Sequence, residues 1–161
     1  MSGLEIIVDD DVEGEEPRSM QWAQAIESAV MQTLQTVAMP QMCAAPLCVS
    51  IASNDTVQQL NSEWRQKDRV TDVLSFPMQD GPDFVPALPL GDIVLALPFV
   101  ADEAQRLELP LLDHVLHLLI HGVLHLLGYD HVDDDDAEQM QSLERRCMAA
   151  LELHDPYPSH V

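Results

Sequence analysis

HGVLHLLGYDH, residues 121–131, sets histidines at 121, 125 and 131 in an apolar run interrupted by Gly128. On an α-helix, at about 100° per residue, His121 and His125 fall about 40° apart on one face, so both imidazoles reach one ion. Gly128 follows three residues after His125, where a helix ends readily in a left-handed turn because glycine has no Cβ to clash. The reversal predicts that His131 returns to the same ion as a third nitrogen ligand. A fourth position is then left for water, the layout of a catalytic rather than a structural zinc site. His114 and His117 lie one to two turns upstream on nearly the same helical face. Either could therefore be a ligand instead, but both precede the reversal, and they read as packing or as support behind the ligands.

The spacing is similar to H-x-x-x-H-x-x-G-x-x-H, the ligand frame of the metzincin proteases, with Gly122 where those enzymes carry glutamate. A lone histidine in an apolar helix is usually a packing residue, but three at this joint spacing favour a metal. The missing glutamate is the general base that takes a proton from metal-bound water, so peptide hydrolysis is disfavoured.

The remaining composition bounds the answer. A chain of 161 residues suits one domain and buries roughly 70% of its unfolded surface on folding. With 47% hydrophobic and 22% charged residues, wholesale disorder is excluded. Cys43, Cys48 and Cys147 are an odd set without a C-x-x-C pair, which points to reduced thiols and a cytoplasmic protein. The N-terminal MSGLEIIVDDDVEGEE is acidic and does not resemble a secretory signal. The apolar run 115–129 is shorter than the roughly 20 residues that a bilayer requires, so it is expected as a buried helix.

A net charge of −21, from 28 acidic and 7 basic residues, argues against loose, field-driven binding to nucleic acid. The basic residues are not evenly spread, however. Arg65, Lys67 and Arg69 share the segment WRQKDR. Such a patch can focus an anionic group locally while the rest of the surface repels polyanions, although a solvated helix end has the same composition.

Periodicity predicts a strand over 4–10 and an acidic loop after it. A helix over 18–37 carries a stripe of Trp22, Ala25, Ile26, Val30, Leu34 and Val37 and is stopped by Pro40. A second strand is expected over 46–53, then a helix capped by Asn54, Asp55 and Thr56 and running through Arg65. Strands over 70–77 and 90–98 flank a proline-rich loop. Helices over 99–109, over 111–127 and from the Asp133–Asp136 cluster to about Leu153 complete the chain. The order predicts a single α+β domain, with a small four-stranded mixed sheet, about five helices and a metzincin-like histidine helix.

Three segments then combine. LNSEWRQKDRVTDVLSFP (60–77), LGDIVLA (90–96) and HLLIHGVLHLLGYDH (117–131) together resemble the hallmarks of the YbeY family of bacterial endoribonucleases, in that family's order and spacing. Residues 1–161 are therefore expected to form one YbeY-like domain. Departures are few: Trp64 stands where the family commonly has another aromatic residue, and the long acidic N-terminal loop is local to this chain.

The resemblance implies a single-strand-specific endoribonuclease of small-subunit (16S) rRNA maturation and ribosome quality control. It implies that His121, His125 and His131 hold one divalent metal, usually zinc, and that RNA processing depends on Arg65. It also implies rRNA on the small ribosomal subunit, ribosomal proteins and an Era-type GTPase as partners, with neither DNA nor a membrane among them. Arginine suits such a role because its guanidinium can hold a phosphate by two parallel hydrogen bonds and stabilise charge developing at phosphorus. Lys67 is a weaker phosphate contact.

The mechanism expected from these residues is metal-assisted hydrolysis. Coordination lowers the pKa of water to roughly 7, which answers the missing glutamate. Asp130 either orients a histidine and accepts a proton or serves as a turn residue, and His117 supports the ligands from behind. Asp72 and Ser75 are placed by strand alternation or by the cleft. Three other readings compete: a zinc hydrolase of the metallopeptidase type, a non-catalytic ribosome-assembly factor whose metal only pins helices, and a purely structural histidine cluster.

Overall fold

A computed structural model describes residues 2–158. Four strands, β1 (Leu4–Val8), β2 (Leu47–Ala52), β3 (Val73–Pro77) and β4 (Gly91–Ala96), form one sheet in the order β1-β2-β4-β3. β1, β2 and β4 run parallel, in a register that sets Leu4 against Leu47 and Leu47 against Gly91. β3 is antiparallel to β4, pairing Val73 with Leu95 and Pro77 with Gly91, and closes one edge. The five helices are α1 (Met20–Thr36), α2 (Asn54–Arg65), α3 (Leu97–Arg106), α4 (Leu111–Leu126) and α5 (Asp134–Ala150). This is the α+β architecture with a four-stranded mixed sheet that the sequence predicts.

Strand alternation divides the core. Val49, Ile51, Ile93 and Leu95 join the large apolar cluster shared with α1, α4 and α5, whereas Ala52, Leu74, Val94 and Ala96 face a smaller cluster closed by Val57 of α2. Successive residues of a strand point to opposite faces, so a strand buried on both sides reads as a continuous apolar run. α4 is buried around most of its circumference, and its partly exposed positions include His117, His121 and His125, a stripe at four-residue spacing. No single helix among the described residues is long and apolar enough to cross a membrane, and Cys43, Cys48 and Cys147 are all free thiols.

Several boundaries differ from the sequence reading, each for a local reason. The oxygen that caps α2 belongs to Ser53, which accepts from the Thr56 N–H at 3.2 Å. Asn54 instead reaches across to accept from the Phe99 N–H at 3.0 Å, satisfying an otherwise orphaned donor in the first turn of α3. α3 begins at Leu97, directly after β4, rather than at 99. α1 ends before Pro40, which opens a short 3-10 turn over Pro40–Ala44, and a second such turn spans Glu16–Arg18. All five helices are followed by a residue with positive φ, yet only α4 uses glycine: the others use Ala38, Gln66, Glu108 and Glu152.

Candidate metal centre and RNA-facing cleft

At the end of α4 the Gly128 N–H donates to the His125 carbonyl at 3.0 Å and the Tyr129 N–H to the Leu124 carbonyl at 3.0 Å. This paired pattern of capping bonds reverses a helix through a left-handed residue, and Gly128 has φ +96°. The reversal brings His131 back over the helix. His121 and His125 present their Nε2 atoms 3.0 Å apart, and one ring nitrogen from each of His121, His125 and His131 lies within 4.8 Å of the others. Nitrogens bound tetrahedrally to zinc at about 2.0–2.1 Å stand about 3.3 Å apart. Three imidazoles at this separation fit a divalent ion, and the most exposed member of the set is His131, whose side chain is 56% exposed.

Gly122 lies on the face of α4 that meets the sheet. A Cβ there would stand 3.1 Å from Ile93 Cδ1 and 3.1 Å from Ser75 Oγ, and Ser75 Oγ donates to the Gly122 carbonyl at 3.4 Å. The position is tight, so a glutamate here, as in the metzincin frame, would have to push the Ile93 and Ser75 side chains aside.

A cleft of about 670 Å³ opens beside the histidines. It is lined by the His117, His121 and His125 stripe of α4, by Asp72 and Ser75 at β3, and by Arg65, Lys67 and Arg69. α2 stops at Arg65 because Gln66 turns left-handed with φ +59°. The following loop is tied down by Asn61: its carbonyl accepts from the Lys67 N–H at 3.1 Å, and its buried amide donates to the Arg69 carbonyl at 3.0 Å. Among the described residues no carboxylate lies within ion-pairing distance of Arg65, Lys67 or Arg69, whereas Arg145 is paired with Asp155. The three cations therefore line the cleft without a direct ion-pair partner, with Asp72 and Asp130 in the same lining.

Asp130 is a turn residue first. Its Oδ1 accepts from the His131 N–H at 2.7 Å, while His125 Nδ1 and His131 Nδ1 stand at 4.0 and 3.9 Å, beyond hydrogen-bond reach. His117 lies behind the triad and bonds through Nε2 to Glu144 Oε1 at 2.7 Å. His114 faces Glu103 at 3.1 Å, one turn further from the triad. Glu144 went unnoticed in the sequence. It is fully buried on the apolar face of α5, between Met140 and Met148, and that polar residue at a core position was the available signal. Burial alone would raise its carboxyl, but hydrogen bonds from His117 and His121 hold it down at about 2. His125 is lowered to about 4, first by burial and then by the charge of His121, so it is neutral and ready to ligate near pH 7.

The model of the family described as Endoribonuclease YbeY matches residues 9–152. The chain belongs to the YbeY family. It is 39% identical to Endoribonuclease YbeY of Zymomonas mobilis, over 96% of this chain and 94% of that one. It is 37% identical to the Azorhizobium caulinodans protein of the same name, over 96% and 95% of the two chains, and 50% identical to that of Paramagnetospirillum magneticum over 69% and 70%. The solution structure of TM1509 from Thermotoga maritima aligns with a TM-score of 0.54, covering 96% of this chain and 100% of that one. At 22% identity this last likeness speaks for the fold alone. The YbeY family match spans all three segments quoted above and every strand from β2 to β4.

Proposed function

We propose that this chain is a hydrolase that cuts phosphodiester bonds of single-stranded RNA with a divalent ion, zinc, held by His121, His125 and His131. The single observation that carries the reading is one cleft lined both by three converging imidazoles and by three cations without an ion-pair partner among the described residues. A zinc ion there would supply Lewis-acid chemistry, polarising an oxygen and easing loss of its proton near neutral pH.

The chain's own residues account for the remainder. Arg65 holds a phosphate and stabilises charge gathering on its oxygens, and Lys67 adds a second, less directional contact. Asn61 keeps the loop carrying Lys67 and Arg69 against α2. Asp130 shapes the turn that carries His131.

The substrate we assign is small-subunit rRNA, encountered on the ribosomal particle in the cytoplasm during maturation and quality control. Ribosomal proteins and an Era-type GTPase are proposed as the partners that deliver it. Charge supports this: a chain of net −21 with one small basic patch gains little from free polyanion and more from a substrate presented by protein contacts. The peptidase alternative is disfavoured by the tight packing at Gly122. Metal analysis and RNA cleavage by wild type beside His121→Ala test the proposal. One zinc per chain with cleavage in the wild type, and loss of both in the variant, is the expected result. Stoichiometric zinc without cleavage would mean a structural metal in an assembly factor.

A further inference from the structure

Resting on that metal reading, we infer that the buried Glu144 and the half-buried Tyr157 form a support that orients the His121 ring for the ion. His121 directs Nε2 toward His125 and Nδ1 toward Glu144 Oε1, at 3.4 Å. The two nitrogens of one ring thus face the ligand space and a carboxylate. A ring flip would put carbon at both places, so the carboxylate selects one orientation. A ligating histidine commonly depends on such a partner behind it, which fixes the ring and raises its basicity.

A buried carboxylate needs a reason, because taking it out of water costs several kcal/mol, about as much as good pairing returns. The His117 bond at 2.7 Å would by itself make a plain buried ion pair. Two further features go beyond that. His121 is the second imidazole on the same oxygen, and the Tyr157 hydroxyl donates to both oxygens, at 3.0 and 3.2 Å. The acceptor capacity of the α5 carboxylate is thereby spread over three partners, two from α4 and one from the C-terminal segment.

Tyr157 is held to this task from outside. Arg145 donates through Nε to Asp155 Oδ1 at 3.2 Å and through Nη2 to the Tyr157 carbonyl. Asp155 Oδ1 also accepts from the Tyr157 N–H at 2.8 Å. The phenol ring meets His117 edge-on with centroids 5.7 Å apart. Tyr157 lies past the last residue that the family model matches, Glu152, so the support combines a residue inside the matched segment with one beyond it.

Full-length Glu144→Gln and Tyr157→Phe, prepared metal-free, test this by zinc affinity in chelator competition, with urea denaturation of the same samples as a separate readout of structure. Glu144→Gln is expected to weaken zinc binding about 10- to 100-fold, and Tyr157→Phe to weaken it less but in the same direction. Cobalt substituted into either variant should show a visible spectrum shifted from wild type. If Glu144→Gln does not fold, Tyr157→Phe decides alone, since it removes one hydroxyl and keeps the ring. Variants that hold zinc with wild-type affinity, whatever their stability, overturn the inference. A wild type without zinc affinity overturns the proposed function as well.

Discussion

His125 presents its Nε2 atom 3.0 Å from that of His121, and two imidazoles so close in a half-buried setting resist double protonation. His125 accordingly titrates at about 4 in place of 6.5, with burial the larger cause. Between these values the unfolded chain binds more protons than the folded one. This histidine's contribution to stability is thus complete above about pH 6.5 and lost as pH falls through 4. Glu144, lowered from 4.5 to about 2, contributes above 4.5 and loses its share as pH falls toward 2. The urea midpoint of the metal-free protein is expected to drop between pH 6.5 and 4 and to keep dropping below 4.5. His125→Asn should flatten the first part. A wild-type midpoint unchanged from pH 7 to 4.5 would contradict the His125 assignment.

Arg65→Ala is expected to lower kcat for RNA cleavage by about 10²–10³-fold, the usual loss when one donor to a developing oxyanion is removed. Zinc content should not change, because Arg65 is not among the side chains whose ligand atoms converge. Arg65→Lys should recover only part of the rate, since an ammonium cannot make the paired contact. Loss of metal along with activity would mean that Arg65 acts on folding of the site.

Free RNA should bind with a shallow salt dependence. Three cleft cations at about 0.7 each give a slope of log K against log salt near −2 for single strands. Filter binding or anisotropy from low to high salt measures it. A slope several times steeper would require a phosphate-binding surface elsewhere on the chain.

Gly122→Glu is expected to destabilise the fold by about 1–3 kcal/mol or more, because the new side chain must displace Ile93 and Ser75 at a packed helix–sheet contact. Thermal denaturation reads the loss. Peptidase activity appearing in this variant would show that the metzincin frame operates here after all.

Glu108 is exposed and held at φ +59° after α3. Replacing it by glycine relieves the left-handed penalty and should stabilise the protein by about 0.5–1 kcal/mol. An unchanged or lower urea midpoint would show that this residue is not strained.

Much of this was legible in the residues. The histidine helix, the Gly128 reversal and the meeting of His131 with His121 and His125 follow from spacing, because a helix period and one glycine leave few alternatives. The mixed sheet followed from short β-branched runs such as LCVSIA. The left-handed residue after four of the five helices was not legible, since Ala38, Gln66, Glu108 and Glu152 carry no turn signature, although the spacing stops α1 and α2 within a residue of their observed ends. These four residues take positive φ because packing and capping bonds outweigh a modest local cost. Asn54 looked like a cap for its own helix and proved to be one for another, a choice that depends on α3 lying alongside. Glu144 could be recognised only as a misfit in an apolar stripe, and its partner Tyr157 belongs to a segment whose sequence periodicity says nothing of where it returns.

The Asn54 side chain has a consequence for how the molecule breathes. By closing the first turn of α3 from the first turn of α2, it couples two segments that neither share a strand nor follow one another in sequence. Amide protons at the two helix starts should therefore exchange with deuterium as one cooperative unit, and slippage of the end that leads to Arg65 would proceed without opening that clasp.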